Sequence, residues 1–238
     1  MKGRLVVVGA TGGIGASVVD AALATGYRVV AVGRDEERLR ALVQAHPGAA
    51  LTAVAGSLAD ETRAAALAAE IRRLRVRLDG VIVSMAPPRA SGRLIERTAP
   101  ELLQSLEQDL VPHFLAARHL LPLLAQRGRV APYLVLGCAA ADYTWAGYGH
   151  ISIGSAARKM LVHVLREESK DLAVRIQLVQ IEGQVCTHKN ARMACPAWAT
   201  AEAVGRQVVE LLEHSDGQSS VVHLRAAATH SIVSGEGP

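Results

Sequence analysis

Aromatic side chains are scarce: the chain of 238 residues has one Phe, two Trp and four Tyr. With little to stack on bases, and a net charge of only +4 carried by scattered arginines, no nucleic-acid partner is expected. Cysteine is also rare. Cys138, Cys186 and Cys195 follow no metal-ligand spacing, so no metal is expected, and an odd count without a signal-peptide pattern suits a reducing, cytoplasmic setting. No apolar run approaches membrane-spanning length, so no membrane partner is expected either. Linkers and low-complexity breaks are missing too. Half of the residues are apolar, enough to bury one α/β core without disulfides.

What is present is organised around residues 5–20, LVVVGATGGIGASVVD. The β-branched apolar run 5–8 reads as a buried strand, and Gly9, Gly12, Gly13 and Gly15 then permit a tight turn with nothing projecting inward. The amphipathic helix that follows aims free N-terminal amides and its positive dipole end at the turn, which is how dinucleotide folds hold pyrophosphate. Such glycines also serve close packing alone, so the context decides. Gly26 stands where a helix C-cap belongs, and residues 27–32 form a second buried strand ending in Gly33, Arg34 and Asp35. An NAD-preferring site places a carboxylate at this tip for the ribose hydroxyls. A guanidinium suits a 2′-phosphate instead, so NADP(H) is the expected cofactor; the alternative is that Arg34 is a solvated charge where the next helix starts.

Further strands read at 51–54, 79–84, 133–136, 174–180 and 220–224, and helices at 60–74, 100–126, 153–172 and 200–212, with a Pro-rich loop at 85–93. Ala156, Ala157, Met160, Leu161, Val164 and Leu165 fall on one helical face, for the sheet or a partner subunit. The alternation predicts a Rossmann-like α/β fold: a doubly wound, seven-stranded parallel sheet with helices on both faces, and ligands at the strands' carboxyl ends. A single domain is expected over 1–238, with 1–150 mainly dinucleotide-binding and 151–238 supplying a helix, the substrate loop and the closing strand. Apolar and small residues on the two longest helices exceed what one sheet face covers, predicting a homodimer or homotetramer.

Nearly end to end, these residues resemble the short-chain dehydrogenases/reductases, in their short single-domain branch. Gly9, Gly13 and Gly15 match that family's cofactor turn, Gly9, Gly12 and Gly15 equally fit the variant turn of its atypical relatives, and Thr11 and Ile14 lie within it. Gly33-Arg34 looks like an NADP-type strand end. Residues 91–124 resemble the fourth helix, and VRIQLVQIEGQVCT the sixth strand and its proline-glycine loop, where Gly183, Val185 and Thr187 match and Glu182 replaces the proline. The resemblance implies an NADP(H) site that also takes in Ser57 and Leu58 after the third strand, Ser84 and Ala86 after the fourth, and Ser155. In the family the threonine helps to hold the nicotinamide amide.

The catalytic positions depart from the pattern. The family uses a Ser, a Tyr and a Lys four residues after the Tyr; without gaps, these positions carry Cys138, Ile151 and Ser155. The helix asparagine aligns with Asp109, the adenine-contacting aspartate with Ser57, and the family's Asn-Asn-Ala-Gly loop reads Ser84-Met85-Ala86-Pro87. Hydride delivery to a ketone builds an alkoxide, and general acid catalysis of it is worth about 10² to 10⁴ in rate. Isoleucine and serine supply no such acid.

Three readings follow. The first is an NADPH-dependent reductase of a small, activated molecule such as an imine or iminium, in which Asp109 faces the cation and His113, Cys138, Tyr148 or His150 donates the proton. Each candidate has a structural alternative: Asp109 pairs on its helix, His113 is a satisfied histidine one turn on, and Cys138 is a small buried hydrophobe. The second is a non-redox isomerase, dehydratase or cyclase on the same fold. The third is a binding protein without turnover.

Overall fold

In the computed structural model, residues 2–86, 90–214 and 219–225 are described; Pro87, Pro88 and Arg89 of the expected loop lie outside them. The chain runs β1 (Arg4–Val8), α1 (Gly13–Ala24), β2 (Arg28–Gly33), α2 (Glu36–Gln44), β3 (Leu51–Ala55), α3 (Glu61–Arg73) and β4 (Gly80–Val83). There follow α4 (Ala99–Ala125), β5 (Ala131–Cys138), α5 (Gly149–Glu168), β6 (Val174–Ile181), β7 (Val185–Cys186), β8 (Ala199–Thr200), α6 (Ala201–His214) and β9 (Val221–Leu224).

Seven strands form one sheet in the order β3-β2-β1-β4-β5-β6-β9, every pair parallel. From β1 the chain runs outward through β2 to β3, then crosses back to β4 on the other side of β1 and continues outward, so a crevice opens at the carboxyl ends of β1 and β4, where this architecture binds ligands. The inner strands β1, β2 and β4 are covered on both faces, which explains why they read as apolar runs. Along β1 the side chains alternate: Val6 and Val8 join a core with α3, α4 and α5, whereas Leu5 and Val7 join one with α1, α2 and α6.

Helix ends follow local chemistry. Asp35 and Asp60 cap α2 and α3 by accepting from the amides of Arg38 (3.0 Å) and Arg63 (2.8 Å), and Thr98 with Glu101 forms a capping box on α4. α1 closes at Gly26, whose φ of +86° lets Gly26 and Tyr27 donate back to the Leu23 and Ala22 carbonyls. Gly26 therefore follows the capping residue, Thr25.

Two differences from the expected pattern bear on the site. α5 starts at Gly149, not at 153, because its N-cap Tyr148 offers no capping side chain and so left no start signal. The buried face of α5 is Ile151, Gly154, Ser155, Arg158 and Val162, while Ala156, Met160 and Val164 point outward. Small and polar residues face inward because this part of α5 packs on a polar section of α4. The short β7–β8 ribbon is additional; two-residue strands carry no readable periodicity.

Candidate active site

The turn between β1 and α1 is shaped by close contacts. Gly9 adopts φ +77°, and a Cβ there would overlap the Ser84 carbonyl oxygen at the end of β4; one on Gly15 would overlap the Gly9 carbonyl oxygen. The Gly12 amide donates to the Gly9 carbonyl at 2.9 Å, which folds the turn tightly. Unlike α2, α3 and α4, helix α1 has no side-chain cap and no acidic residue in its first turn. Amides at Gly13, Ile14 and Gly15 thus face the crevice with a positive dipole end and no carboxylate to oppose an anion. These residues fit a dinucleotide pyrophosphate.

The other residues expected at the cofactor lie at strand ends and in the segments that follow them. At the tip of β2 a Cβ on Gly33 would lie 3.4 Å from the Thr11 hydroxyl, and Arg34 is exposed just beyond. Ser57 follows β3, its hydroxyl accepting from the Ala59 amide at 3.2 Å, and Leu58 is buried beneath. Ser84 donates its amide to the Val8 carbonyl at 2.9 Å, with Ala86 exposed two residues on. From the opposite side the segment after β6 turns at Gly183 (φ +80°) and passes through Val185 to Thr187. A Cβ on Gly13 would come within 2.7 Å of the Thr187 side chain, so this segment lies against the turn. Asn190 holds it there: its carbonyl oxygen accepts from the Thr187 amide (2.7 Å) and hydroxyl (3.1 Å), and its NH₂ donates to the Val185 carbonyl (2.9 Å).

Beside the carboxyl end of β5 lies a buried polar cluster. Asp109 of α4, 3 % exposed, accepts from the Arg158 guanidinium of α5 at 2.9 Å. A second Arg158 nitrogen donates to the Ser155 hydroxyl at 3.3 Å, and Ser155 lies 3.6 Å from the sulfur of Cys138, the last residue of β5. His113, one turn beyond Asp109, donates Nδ1–H to the Asp109 backbone carbonyl at 2.7 Å. Burial pushes the Asp109 carboxyl above its ordinary value, with Arg158 and His150 pulling against it. Burial, and then Arg158, lowers His113 to about 3. His150 is lowered by burial and by Arg97, opposed by Asp109. Both histidines are neutral at pH 7, so neither holds an imidazolium proton to give. Among the described residues, Asp109 Oδ2, His113 Nε2, His150 Nδ1 and Arg158 Nε are buried without a hydrogen-bond partner.

Of the five candidate catalytic residues, the structure thus brings Asp109, His113, His150 and Cys138 into one region. Tyr148 is the N-cap residue of α5, without a side-chain capping bond, and its ring is tilted on Trp145, centroids 4.5 Å apart. Arg158 meets the Asp109 charge directly. Sequence reasoning missed Arg158, although its place three residues after Ser155, one turn along the same face, was a usable signal. Asn190 was missed as well. Its role depends on the path of the loop, which no local pattern encodes.

The family model for short chain dehydrogenases matches residues 4–193. No curated protein matches the chain. Among solved structures, a short-chain type dehydrogenase/reductase from Mycobacterium ulcerans superposes with a TM-score of 0.83 at 18% identity, over 94% of this chain and 88% of that one. An oxidoreductase of the short chain dehydrogenase/reductase family from Burkholderia thailandensis gives 0.78 at 25% identity, over 94% and 90%. A short chain oxidoreductase from Pseudomonas aeruginosa PAO1, described as containing an atypical catalytic center, gives 0.82 at 21% identity, over 97% of both chains.

Proposed function

The chain belongs to the short-chain dehydrogenase family, and from that premise we propose that it is an NADP(H)-dependent reductase of a small, activated acceptor, not of simple ketones. The observation that carries this reading is the pairing of an open glycine cradle with a hydride face lacking its acid: Ile151, 4 % exposed, and Ser155 stand in the tyrosine and lysine positions. A bound nicotinamide supplies the hydride. Gly9, Thr11, Gly12, Gly13, Ile14 and Gly15 hold its pyrophosphate, and Arg34 takes the 2′-phosphate. Ser57 and Leu58 border the adenine, while Ser84, Ala86, Ser155, Gly183, Val185 and Thr187 line the nicotinamide side. Residues 1–150 mainly bind the dinucleotide and 151–238 complete the substrate side. An imine is one acceptor of this kind, but the carboxylate meant to favour its cation is already paired, so Asp109 lends that variant little.

Three expectations test the reading. NADPH binds more tightly than NADH by roughly 10- to 100-fold, the worth of a charge-assisted hydrogen bond. Arg34→Ala removes the difference in a nicotinamide-fluorescence titration, and equal discrimination by variant and parent would reduce Arg34 to a surface charge. Secondary alcohols and simple ketones give no useful turnover with either cofactor, because Ile151 and Ser155 leave neither the family's acid nor its ammonium at the hydride face. Steady turnover across such a panel would show that another residue has taken over the tyrosine's part.

The family is typically oligomeric. In solution we expect a homodimer or homotetramer joined through α4 and α5, which expose Leu103, Phe114, Ile153, Met160 and Val164. A monomer by light scattering at micromolar concentration would overturn this. We place the protein in the cytoplasm; no helix among the described residues is long and apolar enough to cross a membrane.

A further inference from the structure

We propose that the amino-terminal end of the sheet carries a second anion site, opposite the glycine turn, in which Arg4, Arg28, Arg75 and Arg77 hold a ligand with two or more linked phosphates. The site does not depend on the reductase reading. β1 has five residues, and at about 3.3 Å per residue roughly 16 Å of strand separates Arg4 from Gly9.

Parallel topology gathers the charges. Every strand of the sheet enters at the same end, so basic residues at strand entries collect there although they lie far apart in sequence. Arg4 and Arg28 open β1 and β2 and are partners in register. Both alternate in step with Val6, Val8, Val30 and Val32, so they share the sheet face that α3 covers. The segment from the end of α3 to β4 crosses that face. Its Leu74, Val76 and Leu78 pack on the core and leave Arg75 and Arg77 exposed between them.

These charges are uncompensated within the fold. Guanidiniums on neighbouring strands, about 4.8 Å apart, repel each other and destabilise a sheet unless an opposite charge lies between them. Among the described residues, no carboxylate or carbonyl accepts from the guanidinium of Arg4, Arg28, Arg75 or Arg77. Asp79, at the entry of β4, is engaged elsewhere: it accepts from the Arg4 backbone amide at 2.5 Å and pairs with Arg127 and Arg129. The Nε of Arg28 is a buried donor without an acceptor. Burial, and then the charge of Arg28, holds half-buried Arg4 below the ordinary arginine value.

Arg75 is a separate sign. Among the described residues it is the one non-glycine with a positive φ, +49°, and it stands just beyond the end of α3, where glycine would adopt that conformation without strain. The strained backbone thus presents a guanidinium at the rim of the site. A guanidinium fork matches two oxygens of a phosphate, and forks on adjacent strands reach two phosphates of one chain. The paired forks span one strand spacing, which is the scale of linked phosphates. A nucleic acid or a membrane surface calls for a wider charged face. No enclosed cavity is needed, because the ligand stays partly hydrated at the surface.

The test is a calorimetric titration of sodium triphosphate at constant ionic strength, with and without saturating NADPH, paired with melting curves. The parent should bind triphosphate saturably, and NADPH should not compete, since it occupies the other end of the sheet. Arg4→Gln/Arg28→Gln should weaken binding at least about tenfold. Without triphosphate this variant should melt at or above the parent, because a repulsion has been removed. With triphosphate only the parent should gain in melting temperature. Arg75→Gly, which suits the backbone, should weaken binding several-fold, and Arg34→Ala should leave it unchanged. No saturable heat at millimolar triphosphate, or equal affinity in parent and double variant, overturns the site. Displacement by NADPH overturns it too, by placing the triphosphate on the glycine turn. A double variant that melts far below the parent, or fails to fold, makes the two arginines structural and overturns their role. Phosphatidylserine vesicles and a DNA duplex are the controls, and binding of either without triphosphate binding overturns the ligand class.

Discussion

Arg158→Met is expected to destabilise the folded protein by about 3–5 kcal/mol, the usual cost of removing one partner of a buried ion pair. The loss comes from the carboxylate left behind: Asp109 is 3 % exposed, already has one oxygen without a hydrogen-bond donor, and would lose its counter-charge. The double replacement Asp109→Leu/Arg158→Met removes both charges and should lie much closer to the parent, because desolvation of the pair roughly offsets its attraction. The pH dependence separates this mechanism from a packing loss. Burial already holds the Asp109 carboxyl above its ordinary value, and Arg158 is the main group pulling it down. Without Arg158 that carboxyl rises further, so the folded state binds the proton more tightly than the unfolded chain. Stability from such a group is fully present below the unfolded value, about 3.9, and is lost as pH rises through the folded one. The deficit of Arg158→Met relative to the parent should therefore grow from pH 4.5 to pH 7.5 in urea unfolding. Equal deficits at the two pH values would place the loss in packing.

Gly9→Ala should lower the melting temperature by roughly 5–10 °C and eliminate cofactor binding. A non-glycine residue at φ +77° is strained by about 1–3 kcal/mol, and the added methyl also overlaps the Ser84 carbonyl, part of a strand end that cannot move freely. In a chain of this length each kcal/mol corresponds to about 2–4 °C. Gly26→Ala is the control. Its φ is +86°, but nothing lies within 4 Å of the new methyl, so only the backbone strain should appear. If the two variants melt together, the contact between the glycine turn and the end of β4 is looser than described, and the cradle loses its rigid floor.

The sheet was legible because its inner strands are buried on both faces and bounded by glycine or acidic caps. β1, β2 and β4 announced themselves as apolar runs, and Asp60 marked the start of α3 within one residue. The glycine turn was legible for the same reason: its chemistry is local. The cluster around Asp109 was only half legible. Aligning the family's motif located Asp109, Cys138 and Ser155, but the partner that decides their chemistry sits 49 positions away from Asp109 and is an ordinary-looking arginine in a helix. Its inward aim depends on Gly154, whose missing side chain leaves room for the Asp109 carboxylate. The apolar face of α5 misled for a related reason. Periodicity reports a stripe but not the direction it faces, and here the outward stripe is the more apolar one.

The central claim is that a nicotinamide dinucleotide seats on the turn of Gly9 to Gly15 beneath Thr187, with Arg34 at its 2′-phosphate. Calorimetric titration of NADPH into the parent and into Gly13→Val tests it most directly, since the valine would fill the gap between the turn and the Thr187 side chain, now 2.7 Å from the position of its Cβ. The account predicts saturable, submillimolar binding of NADPH to the parent, weaker binding of NADH, and no binding to Gly13→Val while that variant remains folded. No saturable heat at millimolar NADPH, or equal binding by parent and variant, would contradict it.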